Sequence, residues 1–155
     1  MTKDPNPKEF DDPAKLRGII QNALRLGRDD LVLQCQLRIA DLAGRGFDDE
    51  IEREFWQSVA CAEEFKRIEH GKTILLARTR QKYERDGALK CIEDWARNPK
   101  TTDGFQILID AGHPEYTGEA IVLRHSEKFS AEVISAAKDK LIEHGVNLDR
   151  ITRPL

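Results

Sequence analysis

The chain has 155 residues, 39% hydrophobic and 34% charged, with a net charge of -3 and a pI near 5.8. Those figures suit one folded domain with a real core and exclude a chain too polar to collapse. No apolar run approaches the roughly 18 residues of a membrane-crossing helix, and the first residues are polar, so a soluble, cytoplasmic protein with no membrane partner and no secretory signal is expected.

Residues 1–12, with Pro5 and Pro7 and no apolar period, are expected to form a flexible, disordered arm ahead of a helical domain over 13–148 and a tail over 149–155. Helical spacing begins at Pro13. Leu16, Ile19, Ile20, Ala23 and Leu24 recur at three- and four-residue intervals, and Gly27 can close that helix. Asp29 and Asp30 are placed to cap a second helix carrying Val32, Cys35, Ile39 and Leu42, and the short link implies an antiparallel hairpin. Asp48, Asp49 and Glu50 open a third, longer helix with Ile51, Phe55, Val59, Ala62 and Phe65 on its apolar stripe, ending at Gly71.

The next segment, 73–85, is apolar only at its start, and Asp86-Gly87 separates it from a helix carrying Ala88, Cys91, Ile92 and Trp95. These two helices could form a helix-turn-helix pair, and 13–71 and 72–148 could be sub-units. Thr101 to Asp103 can cap a short helix with Phe105, Leu108 and Ile109 inward; another can run from about Tyr116 to Arg124. Alternation at 106–110 permits a strand, but no partner run with hairpin chemistry is present. Ser130 can cap the last helix, with Val133, Ala136, Ala137 and Leu141 on its stripe. The expected architecture is all-α: a single compact domain of about seven helices built from short-looped hairpins. The tetrapeptide Ile-Glu-His-Gly occurs at 68–71 and again at 142–145, both predicted helix ends, where histidine and glycine share capping chemistry.

Common enzyme signatures are absent: there is no phosphate-binding glycine loop, nucleophile elbow or zinc-protease helix. Cys35, Cys61 and Cys91 lie 26 and 30 residues apart, which fits neither a disulfide framework nor a metal site, and they are expected to be buried small hydrophobes. His70, His113, His125 and His144 are scattered singly, and Glu50, Glu52, Glu54, Glu63 and Glu64 lack the histidine spacing of a di-iron bundle, so those glutamates are expected on a solvated face. No metal and no cofactor is expected.

Charge is segregated along the chain: residues 1–65 sum to -5, residues 66–90 to +5 and residues 91–155 to -3. Lys72, Arg78, Arg80, Lys82, Arg85 and Lys90 form the basic centre. On one helix Arg78, Lys82 and Arg85 share a side, with Arg80 about 160° from Arg78. Such a row can contact successive phosphates while Gln81 reaches a base edge, so the leading expectation is a nucleic-acid-binding module, accessory to a nuclease or a regulator. The acidic flanks argue against strong non-specific binding and would keep any contact local. The alternative is a protein-interaction or dimerisation module, in which the same cations neutralise the chain's own carboxylates or a second copy's. An enzyme assembled from His113 or His125 with a distant carboxylate stands third.

Overall fold

The computed structural model describes residues 4–152, which hold nine α-helices and no strand. The order is α1 (Pro13–Arg25), α2 (Asp29–Ala43), α3 (Glu50–His70), α4 (Ala77–Asp86), α5 (Ala88–Arg97), α6 (Asp103–Asp110), α7 (Gly118–Arg124), α8 (Ala131–Glu143) and α9 (Leu148–Ile151). Most helix starts follow from side-chain oxygens that accept otherwise free amides. Asp12 accepts from Ala14 at 2.9 Å, Asp49 from Glu52 at 3.2 Å, Thr102 from Phe105 at 3.1 Å, Thr117 from Ala120 at 3.1 Å and Ser130 from Val133 at 3.3 Å. The expected aspartate cap of α2 is not made: Arg28 holds the cap position, and Asp30 is turned back onto its guanidinium.

α1 and α2 form an antiparallel hairpin whose interior is Leu16, Ile20, Ala23, Cys35 and Ile39. α3 runs through the middle of the molecule, against α2 on one side and α5, α6 and α7 on the other. Its Phe55 is fully buried with Val59, Ile92, Ile121, Val133 and Ala137 in the main core, and burying such an aromatic ring contributes about 2–3 kcal/mol. All three cysteines are buried and free.

The central position of α3 corrects one expectation. Glu54, Glu63 and Glu64 are buried rather than solvated, because a helix packed on two sides leaves few positions facing water. Glu50 is exposed and Glu52 half-buried.

Both ends also depart from the sequence reading. Residues 1–3 and 153–155 lie outside the described residues. Residues 4–12 are docked on α2 instead of forming a flexible arm: Pro7 is buried in a short 3-10 turn that Asn6 caps, and Arg38 binds both the Phe10 carbonyl at 3.0 Å and Asp11 at 2.7 Å. The expected tail contributes α9, whose Ile151 is fully buried against Phe105, Ala120 and Leu141. No described helix is long and apolar enough to cross a membrane.

Candidate functional site

α4 carries four of the six basic residues that the sequence singles out, Arg78, Arg80, Lys82 and Arg85, and none of its residues is fully buried. It is held at its start by a carboxylate from α3. Glu63 accepts the Leu76 amide at 2.8 Å and takes Arg80 through two hydrogen bonds, at 2.6 and 2.8 Å. The Arg80 guanidinium also lies over the Trp56 ring, 5.2 Å from its centroid. Its pairing with Glu63 keeps Arg80 protonated more firmly than an ordinary arginine.

The other cations of the strip divide in two. Lys82 and Lys90 both bind Asp94 on α5, Lys90 at 3.3 Å, and Lys82 first, then Lys90, hold the Asp94 carboxyl below the usual carboxylate range despite its partial burial. Arg85 lies 3.3 Å from Asp86. Lys72, on the segment before α4, and Arg78, in its first turn, are exposed and have no carboxylate within ion-pair distance among the described residues. Gln81 is exposed beside them. The row of Arg78, Lys82 and Arg85 therefore presents one unpaired cation instead of three. α4 and α5 are joined by Gly87 alone, whose φ of 86° admits glycine readily, whereas a helix-turn-helix uses a turn of roughly three to four residues.

Arg78 lines a cleft of about 610 Å³ between α3, α4, α5 and the starts of α6 and α7. Its apolar wall includes Val59, Ala62, Trp95, Phe105 and Leu108, and its polar wall includes Ser58, Thr79, Thr101 and Lys66. α4 enters this wall without a side-chain cap, and the Arg78 and Thr79 amides have no acceptor among the described residues. Free amides and the positive end of the helix dipole thus coincide with an unpaired guanidinium. Lys66, mostly buried, stands 3.8 Å from Asp103 across the same cleft.

The inner wall carries a buried ion pair. Glu119, in the first turn of α7, is 2% exposed and lies 3.6 Å from Lys140 of α8. Lys140 donates to the Trp95 carbonyl at 2.7 Å and sits over the Phe105 ring. Burial pushes the Glu119 carboxyl above its ordinary range, and Lys140 only partly opposes that. Gly118 permits this wall to close: a β-carbon there would fall 2.4 Å from Cε3 of Trp95. Sequence spacing conceals this pair, because 21 positions separate its members, which lie on two different helices.

Two histidines acquire carboxylate partners from the fold. His113 Nδ1 is 2.7 Å from Glu115, which also lies 3.6 Å from Arg150. His125 Nε2 hydrogen-bonds to Glu54, whose other oxygen takes the Arg124 guanidinium at 2.6 Å. Neither imidazole lines the cleft. His144 Nδ1 meets the Lys140 carbonyl at 2.8 Å at the end of α8, which is capping geometry, while His70 is exposed at the end of α3. Among the described residues no group of three or more histidines, cysteines and carboxylates is placed to hold a metal ion.

No protein-family model, curated protein or solved structure matches this chain.

Proposed function

We propose that the chain is a helical ligand-binding module whose cleft takes a small organic anion. The charged group sits at the amino end of α4, against the Arg78 guanidinium and the free Arg78 and Thr79 amides, and the apolar body lies on Trp95, Phe105 and Leu108. The observation that carries this reading is that an uncapped helix start and an unpaired guanidinium occupy one wall of a cleft of ligand size. Its volume of about 610 Å³ falls within the range of small-molecule sites, roughly 300–1,000 Å³.

A nucleic-acid strand is the less favoured occupant. Contact with successive phosphates needs several free cations in line, and Lys82 and Arg85 already have carboxylate neighbours in their own chain. A single anionic group needs only what the start of α4 offers.

Titrating isotope-labelled protein with inorganic phosphate, with benzoate and with a short single-stranded oligonucleotide separates these readings. The anions are expected to shift the amide resonances of Arg78, Thr79, Gly104 and Gly118. Replacing Arg78 with alanine should weaken benzoate about tenfold or more, as loss of a charge-assisted hydrogen bond does, while Arg85→Ala leaves it unchanged. Preferential binding of the oligonucleotide, weakened equally by Arg78→Ala, Lys82→Ala and Arg85→Ala and falling steeply with salt, would replace the cleft reading with nucleic-acid binding.

A further inference from the structure

A second cavity, of about 360 Å³, lies between the docked amino-terminal segment, α1, the end of α2 and α3, with Arg80 of α4 at its edge. Its charged wall is balanced, with Arg17, Arg45 and Arg80 matched by Asp11, Glu63 and Glu64. Glu64 is 5% exposed and only half satisfied. Oε1 accepts two hydrogen bonds from Arg17, at 2.6 and 3.3 Å, whereas buried Oε2 has no donor among the described residues. A buried carboxylate oxygen left unpaired costs folding free energy, so a donor that reaches it is bound favourably. The arginines have the opposite surplus. Arg17 and Arg80 each commit Nε and Nη2 to a glutamate, which leaves Nη1 of each available to an acceptor.

We infer that this cavity binds a small zwitterion, an α-amino acid with an aliphatic side chain. Its ammonium group donates to Glu64, its carboxylate accepts from Arg17 and Arg80, and its side chain rests on Ile39, Leu42 and Ala60. Net neutrality selects this class over a simple ion. An added anion would leave the Glu64 oxygen unmet, and an added cation would leave the spare guanidinium hydrogens unmet. The site is separate from the cleft at the start of α4 and uses neither its amides nor Arg78.

The test is a resonance-shift titration of the isotope-labelled full chain with L-leucine, N-acetyl-L-leucine and isoamylamine. Leucine is expected to shift the amides of Ile39, Ala43 and Ala60, and each analogue, lacking one of the two charges, to bind about tenfold more weakly or worse. Glu64→Gln should weaken leucine by a similar factor. If that variant folds poorly, the comparison of analogues on the unaltered protein still decides. Equal binding of N-acetyl-L-leucine would show a plain anion site and overturn the inference. So would shifts confined to Arg78, Thr79 and Gly118, and so would the absence of any shift at about 10 mM leucine, which would leave these ion pairs a purely structural role.

Discussion

Glu63 on α3 and Arg80 on α4 are joined by two hydrogen bonds, at 2.6 and 2.8 Å, and the same carboxylate accepts the Leu76 amide ahead of α4. One buried side chain therefore holds both the residue ahead of α4 and Arg80 within it, anchoring a helix with no fully buried residue of its own. Glu63→Gln keeps the shape and removes the charge. The expected loss of stability is about 2 kcal/mol, below the full value of a broken buried pair because the Arg80 side chain is 39% exposed and partly screened. Denaturant unfolding measures it, and backbone hydrogen exchange should quicken in α4 before it does in α5. Unchanged exchange in α4 would mean that the Trp56 ring, rather than Glu63, holds the helix.

The sequence reveals the helices far better than it reveals these partnerships, and the reason is range. Pro13 opening α1, Asp49 capping α3, Ser130 capping α8 and glycines 27, 71 and 145 closing helices in positive φ all act over four residues or fewer. Glu63 and Glu64 mislead because a single stripe is the signature of a helix packed on one side, and α3 is packed on two. Residues 4–12 mislead because their anchors, Arg28, Arg38 and Arg45, lie on and around α2, more than 20 positions away. The basic strip is visible as composition, yet only coordinates reveal that Asp94 and Glu63 take three of its members while Arg78 stays at a cleft.

Gly118→Ala tests the wall between cleft and core. The new methyl carbon would lie 2.4 Å from Cε3 and 3.2 Å from Cζ3 of Trp95, a ring stacked 5.4 Å from Phe55, so neither group can yield without disturbing the core. The expected cost is about 2 kcal/mol, typical of overpacking, with an altered tryptophan emission spectrum. A lost emission change together with a retained melting temperature would show that the ring moves freely into the cleft.

The buried Glu119 gives stability a dependence on pH. Burial raises its folded pKa above the ordinary 4.5 and Lys140 opposes this only in part, so between 4.5 and the folded value the folded chain holds a proton that the unfolded chain has lost. Its contribution is complete below pH 4.5 and fades as pH rises through that window. The stability of the unaltered protein minus that of Glu119→Gln should therefore decline with rising pH, by at most about 1.4 kcal/mol per unit. Urea unfolding of both proteins from pH 4 upward would read it, and a difference that grows with pH would mean that the ion pair with Lys140 outweighs the cost of burial.

Ile151 near the carboxyl end carries a comparable share of the fold. Its side chain is fully buried with Phe105, Ala120 and Leu141, and its carbonyl accepts from Arg124 at 3.0 Å, the same arginine that binds Glu54 of α3. Ile151→Ala removes three buried carbons and leaves a cavity beside Phe105, for an expected loss of about 3 kcal/mol. Because Phe105 also lines the cleft, the loss should be accompanied by weaker benzoate binding, whereas Leu26→Ala, at a side chain that is 74% exposed, should change neither. A small stability loss for Ile151→Ala with unaltered binding would show that α9 covers the core without supporting the cleft.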